Sequence, residues 1–323
     1  MAKQKDKKGK ITIANYIAMT GLVLLLVFTF IGHSFKSGGE MGLDILTAVG
    51  VTALAALFLV LLIKAKGAEN RLEMWHKVEA VLVAGYVLLV VPLSFVGGIP
   101  QFFNVLSQKE YLKEVAQKDI ATIDSMFARY ESFENVALTE TRNGLSNAGR
   151  NRRYCDGAVN DFFNYNNIEF NNEASVDNFI EMQRRTLLGN AYKKYKESYA
   201  QKRKEMAGTI DGWSMMKLAA TAKMLDKEGE NAVKTLSEMS TDAKLPLIVN
   251  YNMTQDNQVL TFSEGENLKF RKALMDANGF SIGAALFILL LHLLVIFNYI
   301  VAYRTRTLSP SKKPKDDGGI ILG

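Results

Sequence analysis

The chain has 323 residues, a formal net charge of +6 and a single cysteine, Cys155. One cysteine excludes an intrachain disulfide, so the fold cannot depend on a disulfide framework. The positive charge is not a sign of nucleic-acid binding, because residues 98–278 carry 24 Lys and Arg against 25 Asp and Glu. The excess positive charge therefore belongs to the other segments, where it borders long apolar runs.

Four runs are apolar and long enough to cross a bilayer as a helix, which takes about 20 residues. The first run follows a basic leader, residues 1–10. It is longer than the apolar part of a cleaved signal peptide and lacks a small-residue cleavage site, so we predict an uncleaved membrane helix. The four predicted transmembrane helices are residues 11–34, 43–63, 78–97 and 279–303.

Basic residues near the ends of these helices predict the orientation in the membrane. The leader, residues 64–77 and the tail 304–323 are rich in Lys and Arg, whereas the loop between the first two helices has only Lys36. Since basic loops stay in the cytoplasm, we expect both termini inside and residues 98–278 outside. We predict an integral protein of a bacterial inner membrane.

The outer segment, residues 98–278, is predicted to be mostly helical. A long helix over 107–147 carries one apolar stripe, and a second helix covers about 176–206. Further helix is expected over 211–240, with a break near Gly229. The stripe of the first helix consists of Ile120, Ile123, Phe127 and Tyr130.

A small β element is predicted near the end of this segment. Residues 245–262 alternate like a hairpin, with the turn expected at 255–258. Ser263 and Glu266 form a capping box, which predicts a helix that starts at about 264 and continues into the last membrane helix. The expected fold is therefore a mainly α membrane protein, with four transmembrane helices and a mostly helical extracytoplasmic domain containing a small β element.

No catalytic motif is found in the sequence: there is no P-loop, dinucleotide fingerprint, nucleophile elbow or zinc-protease motif. The three histidines, His33, His76 and His292, are expected at three different depths and so cannot share a metal ion. We therefore predict a protein that is not an enzyme and has no cofactor.

His292 lies near the middle of the fourth predicted membrane helix. A polar residue at that depth faces the helix bundle or water, because exposure to lipid is costly. Tyr86 and Thr52 are the expected partners, and Asn298 and Glu79, with Asn15, form a second polar layer. Three interpretations are open: hydrogen bonding that fixes the bundle, a proton or signal relay, or ligation of haem together with a partner chain.

Tyr192, Tyr195 and Tyr199 fall on one face of a predicted helix, among Lys193 and Lys196. The pattern is that of an amphipathic helix with half-buried tyrosines and a solvated basic face. The alternative is a docking face for an anionic envelope partner. The motif thus identifies a candidate surface without deciding its role.

Two further patterns have open interpretations. The asparagine-rich stretch 162–175 reads as a turn-rich connector, or as a site for a polar ligand such as a sugar. Gly279 and Gly283 match the small-xxx-small pattern of helix packing, but a glycine at that place also eases entry into the membrane helix.

We expect a non-enzymatic membrane protein that anchors or scaffolds an envelope assembly through its outer domain. The alternative is a sensor or signal-coupling subunit, in which a ligand bound outside moves the fourth membrane helix. A sensor should have a polar, concave cavity in the outer domain, whereas a scaffold should have an exposed apolar seam instead. The expected partners are the bilayer and other envelope or membrane proteins, including a second copy of the chain.

Overall fold

The computed structural model describes residues 13–67, 72–242, 245–254, 260, 262, 267–279 and 281–301. These residues form a mostly helical protein with one small sheet. They divide into two compact units. The apolar unit holds the described residues up to Asn104 and from Asn278. The other unit holds those from Val105 to Ala277 and is called the outer unit after the predicted outer segment.

The helices are numbered in chain order. They are α1 (Ile13–Ser37), α2 (Met41–Gly67), α3 (Leu72–Gly85), α4 (Val91–Val96), α5 (Ile99–Ser107), α6 (Lys109–Arg150), α7 (Gly157–Tyr165), α8 (Glu173–Leu188), α9 (Asn190–Asp211), α10 (Met215–Asp242), α11 (Phe270–Met275), α12 (Ile282–Val295) and α13 (Phe297–Val301). A π-helical turn covers Tyr86–Val90, a 3₁₀ turn covers Arg152–Tyr154, and the two strands are β1 (Leu247–Val249) and β2 (Asn252–Thr254).

Three helical stretches are long and apolar enough to cross a membrane: Ile13–Ser37, Met41–Lys66 and Lys77–Ser107. Their outward faces are apolar as well, with Leu57 and Leu88 being 54% and 70% exposed. A helix that is apolar all round is typical of a membrane-embedded segment. The fourth predicted membrane helix contains the shorter apolar helix α12, of 14 residues, followed by α13.

The third apolar stretch is not one regular helix. It changes to a π-helical turn at Tyr86–Val90, in which Val91 N–H donates to the carbonyl of Tyr86, and Pro92 follows at once. Gly97 and Gly98 form a turn, and helix resumes at Ile99 as α5. Gly98 has a φ of +107°, which favours glycine.

Close helix contacts hold the apolar unit together. A Cβ built on Gly21 of α1 would lie 2.8 Å from the backbone nitrogen of Val295 on α12, so the glycine allows these two backbones to approach. Phe28 packs edge-on against Phe102 and Phe287, with ring centroids 5.0 and 4.7 Å apart. The unit therefore has a packed core of its own.

The outer unit is organised along α6. This helix has 42 residues, which corresponds to a length of about 63 Å. The predicted long helix and its apolar stripe are confirmed, because all four residues of the stripe are buried. Helices α8, α9, α10 and α11 and strand β1 pack against α6.

Two predicted helix boundaries in this unit are wrong. The predicted helix over 176–206 is divided by Gly189 into α8 and α9, and a Cβ at this position would lie 1.9 Å from the carbonyl oxygen of Arg185. The predicted break at Gly229 is absent, since α10 continues through it. A glycine costs about 1 kcal/mol relative to alanine within a helix, and burial against the neighbouring helices outweighs that cost here.

The asparagine-rich stretch 162–175 is only partly a connector. Its first residues complete α7 and its last residues begin α8, so the irregular part is 166–172. Asn167 and Asn171 have positive φ angles of 54° and 57°, which asparagine tolerates better than most residues. Asn172 caps α8 by accepting the N–H of Ser175. The asparagines thus serve the local backbone.

The predicted hairpin exists, but its turn lies earlier than expected. Strands β1 and β2 pair antiparallel and the turn residues are Asn250 and Tyr251, both with positive φ. Two left-handed residues suit the tight turn of a hairpin. Residues 255–258, where the turn was predicted, lie outside the described residues, as does the predicted capping box of Ser263 and Glu266.

The helix that was predicted to run from about 264 into the membrane is also interrupted. Helix α11 ends at Met275 and α12 begins at Ile282. The start of α11 is held from a distance, because the Asp119 carboxylate accepts the backbone N–H groups of Lys269 and Phe270, each at 2.7 Å. The buried carboxylate supplies the acceptors that a local cap would otherwise give.

Candidate functional site

His292 is the centre of a buried polar network in the apolar unit. The side chain is 3% exposed. Its Nδ1 lies 2.7 Å from the Tyr86 hydroxyl, and its Nε2 lies 2.9 Å from the Ser94 hydroxyl. The Ser94 hydroxyl also donates to the carbonyl of Val90, at 3.2 Å. Helix α12 is thereby bonded twice to the stretch formed by the π-helical turn and α4.

One arrangement of protons satisfies this whole network. Ser94 uses its only hydrogen on the Val90 carbonyl, so it must accept the hydrogen bond from His292 Nε2–H. Nδ1 is then unprotonated and accepts from the Tyr86 hydroxyl. In this arrangement His292 is the neutral Nε2–H tautomer, and the chain of bonds ends on a backbone carbonyl. A hydrogen-bond chain that ends on a backbone carbonyl suits a fixed connection between helices.

The sequence predicted one of the two partners of His292. Tyr86 is in place, but Thr52 is not: its hydroxyl is buried with no hydrogen-bond partner in the part of the chain that the structure describes. Ser94 takes the second position. It lies eight residues after Tyr86 in the same apolar stretch, with the π-helical turn between them, so regular helix spacing alone did not indicate it.

A second polar layer lies two helical turns from the first. Glu79 precedes Tyr86 by seven residues, and Tyr299 follows His292 by seven. The Tyr299 hydroxyl donates to Glu79 Oε1 at 2.7 Å, and Lys66 Nζ donates to the Tyr299 carbonyl at 2.6 Å.

Asn298 belongs to the same layer, where its amide donates to Asn15 Oδ1. The structure thus brings together the predicted members of this layer, and it adds Tyr299 and Lys66. Both layers connect α12–α13 to the other helices of the apolar unit.

A third polar cluster joins the end of α1 to the start of α2. His33 Nδ1 lies 2.8 Å from Asp44 Oδ1, and its Nε2 lies 3.3 Å from the Thr47 hydroxyl. Ser37 donates to the same Asp44 oxygen at 2.7 Å. Asp44 is buried, so these bonds supply the partners that a buried carboxylate needs.

The tyrosines of the candidate anionic-partner face are turned inward, as the amphipathic-helix interpretation expects. Tyr192 and Tyr199 are buried; Tyr192 stacks on Tyr130, and Tyr199 stacks on Phe127 with centroids 4.8 Å apart. Burial raises the pKa of Tyr195 to about 12. The spacing that suggested a docking face is that of a core-facing stripe.

The lysines of that face do remain exposed. Lys196 is paired with Glu131 at 2.7 Å, and Lys193 is exposed on α9. A surface ion pair of this kind contributes little to stability. The basic face of α9 is therefore a solvated surface around a buried aromatic seam.

Within the described residues, neither candidate packing glycine lies at a close approach of two helix backbones. Gly279 lies before the start of α12, where a Cβ would be 3.3 Å from Asn104 Oδ1. A Cβ on Gly283 would meet only Ser281 Oγ, at 3.4 Å. The glycine that allows close packing of α12 is Gly21, on α1, which the small-xxx-small pattern did not identify.

The described residues of the outer unit form a small polar cavity, which is relevant to ligand binding. Its volume is about 70 Å³. Its polar groups bond to one another: Glu173 accepts from Ser146 at 2.8 Å and from Arg150 at 2.6 Å. The cavity is lined by Ser146, Gly149, Arg150, Glu169, Asn171, Asn172, Glu173 and Val176.

Together these features define a predominantly helical protein with three helices suited to a membrane, a clamped apolar unit and a separate helical outer unit. No protein-family model, no curated protein and no solved structure matches the chain.

Proposed function

We propose that this protein is a non-enzymatic membrane anchor that displays the outer unit as a docking surface for an envelope assembly. The observation that carries the proposal is the connection of the two units. Residues 105–277 form one compact unit, and the chain on both sides of it belongs to the apolar unit. A domain held at both ends by membrane helices is restrained at the membrane, as an anchoring protein requires.

The proposal includes a fourth membrane crossing by α12 and α13. Together with the turn at Ile296 these helices cover residues 282–301, about 30 Å at helical rise. The close approach at Gly21 and the two hydrogen bonds of His292 support a place for them inside the helix bundle. An even number of crossings puts both termini on one side and the outer unit on the other.

The orientation is also part of the proposal. Basic residues are abundant in the leader, in residues 64–77 and in the tail. They would attract the anionic inner leaflet of a membrane, so we place these three segments in the cytoplasm and the outer unit outside, in a bacterial inner membrane.

Photo-crosslinking of the full chain in its native membranes tests the anchoring function. A photoreactive amino acid is introduced at exposed positions of the outer unit, such as Tyr111, Tyr154 and Met182, one at a time. An anchor should give discrete protein adducts of constant mass at neighbouring positions. Absence of protein adducts at every position would contradict the proposal.

The polar cavity favours a second candidate, a sensor subunit. Arg150 and Glu173 offer both charges to a small zwitterion, although each already bonds to the other. A sensor would show protection of the full chain against thermal unfolding by a library of small polar solutes, and the protection would be lost in Glu173→Gln. No stabilisation by any solute would remove this alternative.

A further inference from the structure

The arginines of the outer unit are not all used alike. Residues 105–277 contain nine arginines. Six of them form ion pairs with carboxylates, and a seventh, Arg129, lies over the ring of Phe262. The six paired residues are Arg142, Arg150, Arg184, Arg185, Arg203 and Arg271.

Arg152 and Arg153 are different, because they are exposed and contact aromatic rings instead of carboxylates in the described part of the chain. The guanidinium carbon of Arg152 lies 4.4 Å from the centroid of Phe170, and that of Arg153 lies 4.8 Å from the centroid of Tyr154. Stacking fixes the plane of a guanidinium and leaves its N–H groups free at the edge. Two oriented and uncompensated positive charges therefore stand side by side.

Aromatic and apolar side chains border these charges. Tyr154 is 58% exposed and lies against Tyr251, with ring centroids 5.9 Å apart. Val249, at the end of β1, is 47% exposed. Tyrosine and arginine are the residues that contribute most to protein interfaces. We call Arg152, Arg153, Tyr154, Val249 and Tyr251 the Arg–Tyr patch.

The patch is built on a fixed framework. Asp156 joins the 3₁₀ turn to the hairpin: its backbone N–H donates to the Tyr251 carbonyl at 3.1 Å, and its carboxylate accepts the N–H of Met253 at 3.2 Å. The same carboxylate accepts the N–H of Val159 at 2.7 Å. Because each carboxylate oxygen of Asp156 accepts a backbone N–H, this nearest acid in the sequence serves the fold, and it forms no ion pair with either arginine in the described part of the chain.

The position of the patch within the outer unit favours a protein partner. The chain enters this unit before α6 and leaves it after α11. Asp119 on α6 accepts the N–H of Lys269, which directly precedes α11, so the two chain connections lie at the same end of α6. The patch follows Arg150 at the other end of α6, about 45 Å along the helix from Asp119. A partner at this end reaches the face of the unit that lies away from both chain connections.

We propose that the Arg–Tyr patch is the docking site for an acidic segment of a partner protein. The inference rests on the proposed anchoring function and names the surface that performs it. Carboxylates of the segment pair bidentately with the free edges of Arg152 and Arg153. Its apolar side chains pack on Tyr154, Tyr251 and Val249.

The test uses the full chain in its native membranes, with a photoreactive amino acid at Tyr154. The expected result is a protein adduct whose crosslinked peptide, mapped by mass spectrometry, is rich in Asp and Glu. The double variant R152A/R153A should lower the adduct yield about tenfold, as expected for the loss of interface hot spots. R152K/R153K keeps the charge but loses the planar fork, and should restore only part of the yield.

The matched control is K193A/K194A, which removes the same charge from the exposed face of α9 and should leave the adduct unchanged. Thermal unfolding of all variants shows that each is folded. An adduct with lipid or glycan, or one that survives in R152A/R153A, would overturn the patch as an acidic-segment site. Adducts at Tyr111 or Met182 without one at Tyr154 would overturn the patch alone, whereas no protein adduct anywhere would overturn the anchoring function itself.

Discussion

Glu134 should make the outer unit less stable at neutral and alkaline pH than at acidic pH. This carboxyl group lies on α6 and is 1% exposed. Burial raises its pKa from 4.5 to about 7, and the nearby Ser240 hydroxyl opposes this rise only in part. The folded protein therefore holds its proton at pH values where the unfolded chain has lost it.

The sign and size of the effect follow from the two pKa values. Below pH 4.5 both states are protonated and the group costs nothing. Between pH 4.5 and 7 the free energy of unfolding falls by about 1.4 kcal/mol per pH unit, to a total of about 3 kcal/mol. Glu134→Gln, which is neutral at all pH values, should recover most of this loss at pH 8 and none at pH 4.

The assay is thermal unfolding of the full chain in detergent, followed by tryptophan fluorescence. The chain has two tryptophans, so Trp75→Phe leaves only buried Trp213 as a reporter of the outer unit. About 3 kcal/mol corresponds to a rise in Tm of roughly 6–12 °C at pH 8. Glu140→Gln, at an exposed position of the same helix, is the control and should change nothing. Equal Tm values for Glu134→Gln and its parent at pH 8 would refute the reasoning.

Three further predictions concern single positions. His292→Leu should lower stability in detergent by about 1 kcal/mol and His292→Gln by less, because two interhelical hydrogen bonds are worth ~0.6 kcal/mol each. Loss of an assembly phenotype in a stable His292→Gln protein would instead indicate a relay. Gly21→Ala should cost about 1–3 kcal/mol. Gly50→Ala, with nothing within 4 Å of the added Cβ, should not lower stability in the same unfolding assay and should raise it by up to about 1 kcal/mol. Cys155 should react slowly with a soluble maleimide at pH 7 and faster as the pH rises, because burial and the nearby Asp156 carboxylate raise its pKa. A reaction rate at pH 7 equal to that of a free thiol would contradict this prediction.

Patterns of several residues on one helix face were predicted well from the sequence. The stripe that begins at Ile120 is buried, because four apolar side chains at helical spacing have only one stable place, the core. The same rule applies to Tyr192 and Tyr199, which lie on the buried face of α9 while the neighbouring lysines stay exposed. Helical periodicity identified the buried face of α9. The charges on its exposed face did not indicate whether a partner binds there.

Features that depend on contacts between distant segments were not predictable. Asp119 holds the start of α11 across 150 residues of chain, and nothing near Asp119 in the sequence indicates that acceptor role. Gly189 ends a helix while Gly229 does not, because the outcome depends on the neighbours that pack against each glycine. His292 and Tyr86 were paired by depth alone, but the choice of Ser94 over Thr52 required the geometry of the π-helical turn.

The membrane topology is the central claim, and thiol labelling of intact cells tests it most directly. With Cys155 replaced by serine, single cysteines are placed at Lys64, at Lys193 and at Lys315. A membrane-impermeant maleimide should label Lys193→Cys in intact cells, and Lys64→Cys and Lys315→Cys only after the membrane is opened. Labelling of Lys315→Cys together with Lys193→Cys would contradict the fourth crossing, and labelling of Lys64→Cys alone in intact cells would reverse the orientation.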